Sequence, residues 1–246
     1  MTKFVVFTTP RTGSTLLVKS LDTHPEIFCA GEIFLLGGTS FHGECSFHFW
    51  KLPLPKKMIY VLNFPNMWMN LKSFLNRFFT SRNGERARGF KLMHFQTAYL
   101  PGITEYIKKN DVKVILLLRE NLLKNTLSDL RARQTGVYHN SGKSTEKLPK
   151  FHIDLELLGK KMAEIERFNR QLEQTTASMD RLKITYEEFD NWDATMSKVL
   201  NFLNVKNIPL APVSKKLNPS KLEDMIANYD EMKSWLQQNN YAHFLD

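Results

Sequence analysis

Cysteine is scarce, with only Cys29 and Cys45 in 246 residues. They form no CxxC pair, so the chain offers neither a disulfide framework nor the spacing of a zinc site. Two idle thiols suit a reducing compartment. Long apolar runs are missing too. None approaches the length needed to cross a bilayer. The run that opens the chain, Phe4 to Phe7, is too short for the core of a secretion signal. No Asn-X-Ser/Thr acceptor occurs. Together these absences lead to the expectation of a soluble, cytoplasmic protein. No block of five like charges appears, which argues against a basic nucleic-acid tail. With no repeat and no linker, residues 1–246 read as one domain, long enough to bury a sizeable core.

What is present is a surplus of cations and a series of apolar strands. Hydrophobic residues make up 42% of the chain, and 34 Lys and Arg face 25 Asp and Glu, a formal net charge of +9. Such a balance points to an anionic partner or to a surface rich in lysine. Residues 3–8 read as a buried strand. Pro10 to Ser14 break it, and a helical pattern with Leu16, Leu17 and Leu21 runs to Thr23-His24-Pro25. Further strands are expected at 88–93, 112–118 and 182–186, with a second short strand just before Glu32. Helices are expected at 102–110, from about 122 to 137, over about 154–176, after the last strand to about 203, and through most of 219–245. Residues 37–85, rich in Phe, Trp, Met and Pro, read as short helices and loops. His139 to Lys150 read as a polar loop. The run at 112–118 is continuously apolar, as in a central parallel strand covered on both faces. Alternation of strands and helices gives an α/β three-layer sandwich with a mainly parallel sheet.

The segment Thr8-Thr9-Pro10-Arg11-Thr12-Gly13-Ser14-Thr15 joins a buried strand to a helix start. Unpaired N–H groups and the helix dipole make that junction an anion site. Gly13 permits close backbone approach, Ser14 and Thr15 supply hydroxyls, and Arg11 supplies a permanent planar charge. A plain Ser/Thr cap is the simpler reading, but a cap needs neither the Arg nor the Gly. Walker A is absent here, because no Lys follows Gly13. Gly142-Lys143-Ser144-Thr145 imitates it, but Gly136 lies one residue too far away and the segment follows a helix. A second anion element is Arg119, at the end of the 112–118 strand, with Ser128 in the helix beyond. Ligands of open α/β sheets sit at such strand ends. An ordinary ion pair for Arg119 remains the alternative.

The two elements, TTPRTGSTLL and LLLRENLLKNTLSDLRARQTG, resemble the 5′-phosphosulfate loop and 3′-phosphate motif of the PAPS-dependent sulfotransferase superfamily. The wording is closest to its bacterial branch of trehalose 2-sulfotransferase and nodulation-factor sulfotransferases. Gly31-Glu32-Ile33-Phe34, Phe90 to Met93, Arg133 to Gly136, Tyr186 to Glu188 and Lys216 to Asp230 carry the likeness along the chain.

The resemblance implies a P-loop-like sulfotransferase fold that uses PAPS as co-substrate and needs no metal. It implies that Arg11, Thr12, Gly13, Ser14 and Thr15 hold the 5′-phosphosulfate, and that Arg119 and Ser128 hold the 3′-phosphate. Tyr186 lies near the adenine or packs in the core, and Lys216 or its neighbour Lys215 closes over the nucleotide or forms a plain solvated pair. Glu32 is the candidate base for the acceptor hydroxyl, the alternative being a structural pair with Arg11 or another arginine, and Arg11 is an electrostatic clamp. Lys91 is placed to touch the transferring sulfuryl oxygens. His94, Phe47, Phe49, Trp50 and Trp68 are candidates for the acceptor side, or for packing. The acceptor class implied is a sugar, glycolipid or polysaccharide hydroxyl, with no nucleic acid, in a monomer or homodimer. An ATP/Mg-dependent P-loop kinase and a non-enzymatic module for acidic polymers are the rival classes.

Overall fold

The computed structural model describes residues 1–34, 64–98, 100, 102–135, 149–213 and 221–245, excepting the side chains of 64–68 and 135. Five strands form one sheet: β1 (Thr2–Thr8), β2 (Ile27–Ala30), β3 (Ala87–Met93), β4 (Lys113–Leu118) and β5 (Arg181–Thr185). Their order is β2-β3-β1-β4-β5 and all pairings are parallel. The helices are α1 (Ser14–Leu21), α2 (Phe64–Phe78), α3 (Ile103–Lys109), α4 (Leu122–Thr135), α5 (Leu155–Thr176), α6 (Trp192–Phe202) and α7 (Tyr229–Gln238).

The continuous apolar runs have a simple cause. Successive side chains of a strand point to opposite faces, and here both faces are covered. Val5 and Phe7 of β1, with Val114, Leu116 and Leu118 of β4, join Leu71, Leu75 and Phe78 of α2 and Tyr106 and Ile107 of α3. Phe4 and Val6, with Ile115 and Leu117, meet Leu17 and Leu21 of α1 and Met196, Val199 and Leu200 of α6 on the other face. A third cluster lies between α4, α5 and α7, built on Leu123, Leu127, Leu158, Met162, Met232 and Leu236.

The four longer strand expectations hold to within about a residue, and the short strand expected before Glu32 is β2. Two stretches differ from expectation. Within 37–85 the described part holds a 15-residue helix, α2, whose Leu71, Leu75 and Phe78 recur at helical spacing on the core side. The tail is less helical than its pattern implied. Leu222–Asp224 and Ala242–Phe244 are single 3-10 turns, and Ile226 instead pairs with Phe151 as an isolated bridge. The Ala227 N–H donates to the Phe151 carbonyl at 2.9 Å, tying the tail to the start of α5. Among the described residues no helix is long and apolar enough to cross a membrane.

β1 lies in the middle of the sheet, with β3 on one side and β4 on the other. The chain leaves β1 in one direction and returns on both sides of it. The carboxyl end of β1 is therefore the switch point at which open α/β sheets leave a crevice.

Candidate active site

The loop from Thr9 to Gly13 turns back sharply at the end of β1. Arg11 (φ 63) and Gly13 (φ 77) both adopt left-handed backbone. For arginine that conformation is unusual, and it is held by the hydroxyl network beneath. Thr8 Oγ1 donates to the Leu117 carbonyl at 2.7 Å and lies 2.5 Å from Thr12 Oγ1. Thr12 is fully buried and its hydroxyl donates to the Thr9 carbonyl at 3.1 Å, so it belongs to the loop's internal scaffold. Thr9 Oγ1 donates to Asn169 Oδ1 of α5 at 3.2 Å, fixing the loop's other flank.

Gly13 caps α1 with no side-chain hydrogen bond, and the first turn of the helix carries no acidic residue. The first N–H groups of α1 are thus directed at the crevice with the positive end of the helix dipole behind them. Ser14 is nearly buried and Thr15 half-buried. A methyl group on Gly13 would lie 2.7 Å from Tyr186 Cδ2, so the turn and the Tyr186 ring fit against each other without spare room.

The two anion elements meet in one place. Arg11 Nε donates to Ser128 Oγ of α4 at 3.0 Å. Arg119, just past β4, donates through Nη1 to the Arg11 carbonyl at 3.3 Å. Its guanidinium lies over the Tyr186 ring, 4.4 Å from the centroid. Arg119 Nε is buried with no hydrogen-bond partner, and Arg119 forms no ion pair among the described residues. Burial, and to a smaller extent the Arg11 charge, pull the Arg119 guanidinium below its ordinary value. A desolvated cation beside a second cation is an unfavourable arrangement that a bound anion relieves.

Glu32 follows β2 and stands across the crevice. Its Oε1 pairs with Lys91 Nζ at 2.8 Å, and its Oε2 accepts from Gln96 Nε2 at 3.3 Å. Lys91, on β3, also donates to Thr15 Oγ1 at 3.3 Å. One ammonium thus links the carboxylate to the first turn of α1. The partner of Glu32 is this lysine rather than an arginine.

Other expected residues fall elsewhere. His94 Nε2 lies 3.1 Å from Gln171 Oε1, and the ring packs on Phe168 with centroids 4.3 Å apart, both partners being on α5. Burial holds its imidazole below the usual value. The carboxylates after β5 serve the scaffold. Glu187 accepts the N–H groups of Glu120 and Asn121, both at 3.1 Å, and so holds the turn that leads into α4, whose cap is Asn121 Oδ1 accepting the Lys124 N–H at 2.8 Å. Glu188 accepts the Thr185 N–H at 3.0 Å and pairs with Lys198 at 2.8 Å. Lys215 and Lys216, the 142–145 segment, and the side chains of Phe47, Phe49, Trp50 and Trp68 lie outside the described residues. Sequence reading missed Gln96 and Asn169. Gln96 lies two residues beyond His94 and is fully buried, which composition alone does not reveal.

A family model described as Stf0 sulphotransferase matches residues 3–231. No curated protein matches the chain. Among solved structures, the chain is similar to a sulfotransferase domain from the curacin biosynthetic pathway. That match has 15% identity and a TM-score of 0.50, over 98% of each chain, and it supports the α/β fold. It is also similar to a sulfotransferase from Alicyclobacillus acidocaldarius, with 16% identity and a TM-score of 0.49 over 99% of this chain and 96% of that one. Mouse sulfotransferase SULT7A1 complexed with PAP matches at 11% identity and a TM-score of 0.47, over 99% of this chain and 87% of that one.

Proposed function

The chain belongs to the Stf0 sulphotransferase family, and from that premise we propose that, as one catalytic domain, it moves a sulfuryl group from PAPS to an acceptor hydroxyl. The acceptor class is a sugar, glycolipid or polysaccharide, as the likeness of motifs favours. The observation that carries the reading is the meeting of Arg11, Ser128 and Arg119 beside the uncapped start of α1, with one half-buried guanidinium that forms no ion pair among the described residues. These residues fit a ligand with two separated phosphates. Backbone N–H groups of Thr12 to Thr15, the Ser14 and Thr15 hydroxyls and Arg11 hold the 5′ end. Arg119 and Ser128 hold the 3′-phosphate. Tyr186 acts as the platform on which Arg119 and the Gly13 turn are set, since both already pack on its ring. Lys216 closes over the nucleotide.

In the transfer, the acceptor O–H bond breaks and its proton goes to Glu32. The acceptor oxygen forms a bond to sulfur as the bond from sulfur to the 5′-phosphate oxygen breaks. The bisphosphate leaves with the electron pair and the added negative charge. Arg11 remains charged throughout and stabilises that charge with the α1 N–H groups. Lys91, already between Glu32 and Thr15, holds the sulfuryl oxygens in line.

Thermal unfolding with 3′,5′-adenosine bisphosphate, with AMP, and with ATP plus magnesium tests the donor. Ligand at about 100 times its Kd adds about 2.7 kcal/mol, a rise of roughly 5–10 °C for a chain of this size. A rise with the bisphosphate but little with AMP is expected. A rise with ATP and magnesium alone overturns the reading in favour of a kinase. No rise with any nucleotide leaves a module without a donor site.

A further inference from the structure

Resting on the reading of Glu32 as base, we infer that Gln96 is its positioning residue, the neutral group that holds the carboxylate in place while its charge changes. Gln96 lies in the 3-10 turn His94–Ala98 that follows β3. It is fully buried, and both ends of its amide are engaged. Its Oε1 accepts the Met93 N–H at 2.9 Å. That bond fixes the orientation of the amide, because the oxygen must face the backbone donor and the NH2 group must then face Glu32 Oε2, 3.3 Å away. The backbone of the same residue is anchored as well, since the Leu100 N–H donates to the Gln96 carbonyl at 3.1 Å. The backbone beside Glu32 is tied to the same strand, with the Lys91 N–H donating to the Gly31 carbonyl at 3.2 Å.

The two donors on Glu32 differ in kind. Lys91 holds Oε1 by charge. Once Glu32 has taken the acceptor's proton, that attraction falls to a hydrogen bond, and Thr15 Oγ1 already offers the ammonium a second partner at 3.3 Å. Gln96 is uncharged, and its bond to Oε2 persists in either protonation state. Lys91 is thereby able to turn toward the phosphosulfate loop at the moment charge develops there, while the carboxyl group stays where the next acceptor hydroxyl must meet it. A carboxylate held by lysine alone would follow the lysine. Catalytic groups need to be held to within about 0.5 Å, and displacement by about 1 Å costs on the order of 100-fold in rate.

The test uses Gln96→Met, which keeps the length but has no NH2 donor and no charge, and Gln96→Leu, which also shortens the side chain. Crystal structures of each with bound 3′,5′-adenosine bisphosphate are compared with the parent, and PAPS turnover is measured on a panel of sugars and alcohols headed by trehalose. The Glu32 carboxylate is expected to move by about 1 Å or more. Turnover on any acceptor the parent sulfates is expected to fall about 10- to 100-fold in kcat, with KM for PAPS and the bisphosphate-induced thermal shift unchanged. A purely structural role predicts a lower thermal midpoint and near-parental kcat for both variants. The inference is overturned if Glu32 stays within about 0.5 Å of its place in whichever variants fold, or if a folded variant keeps kcat within about twofold. Failure of the underlying reading looks different, because a Glu32→Gln protein would then turn over as fast as the parent.

Discussion

Replacing Gly13 by alanine probes the tightest point of the site. The residue has φ 77, where a Cβ costs about 1–2 kcal/mol. The new methyl would also meet Tyr186 Cδ2 at 2.7 Å, Tyr186 Cε2 at 2.9 Å and Phe189 Cε2 at 3.0 Å. The Tyr186 ring cannot simply withdraw. The Tyr186 backbone N–H donates to the Leu118 carbonyl at 2.8 Å, Arg119 lies on the ring face, and Phe189 packs edge-on with centroids 5.7 Å apart. Crowding of this kind costs about 1–3 kcal/mol. The sum is about 2–5 kcal/mol, a fall in thermal midpoint of roughly 5–15 °C. Gly84→Ala is the internal control. Gly84 has φ 78, but a methyl there would have nothing within 4 Å, so it bears only the conformational cost. Calorimetry of both variants therefore separates crowding from backbone strain. Because the ring that must yield also supports Arg119, Gly13→Ala is expected to weaken the bisphosphate response as well, whereas Gly84→Ala leaves it intact. Equal midpoints for the two variants would refute the claim that the turn is built against Tyr186.

Three further outcomes are expected. Arg119→Met leaves the unliganded protein within about 1 kcal/mol of the parent, because a desolvated cation is lost along with its contacts; the same change lowers bisphosphate affinity about 10- to 100-fold, and calorimetric titration checks both. Burial pushes the Glu85 carboxyl up, but the Asn83 and Arg82 N–H groups and the Arg88 guanidinium outweigh it and lower it from 4.5 to about 2. This stabilisation, at most about 3 kcal/mol, is present above pH 4.5 and is lost as pH falls through about 2, so the denaturant-midpoint gap between parent and Glu85→Gln should shrink in acid; a constant gap contradicts it. Cys29 is fully buried, and burial, with the nearby Asp22 charge, pushes its thiol up. In a Cys45→Ser background, iodoacetamide should label it only in denaturant, and rapid labelling of native protein counts against the fold around β2.

The strands were legible because burial on both faces removes the need for alternation, leaving runs such as Val114 to Leu118 unbroken. The loop at Arg11 to Thr15 was legible because its chemistry is local to one turn. Contacts between distant segments were not. Arg11 meets Ser128, and Glu32 meets Gln96, only because strand order places β3 and β4 on either side of β1. Spacing along the chain carries no record of that order. The carboxylates of Glu187 and Glu188 illustrate the converse. In sequence they are two adjacent carboxylates, but in the fold one holds the turn before α4 and the other binds Lys198. The helix α2 was hidden by Pro65 and by aromatic residues on several sides, although Leu71, Leu75 and Phe78 carried the period.

The central place of β1 also bears on how the protein is made. The strand leaves a ribosome before either of its neighbours, residues 87–93 and 113–118. At about 5–20 residues per second, an apolar strand with two open edges waits on the order of ten seconds for its partners. The outer edge of β4 stays open in its turn, until Arg181–Thr185 arrive. Nascent chains in that interval present the features that recruit chaperones and promote aggregation. Truncations that end before residue 181 make the interval permanent, and insoluble fragments are the expected result.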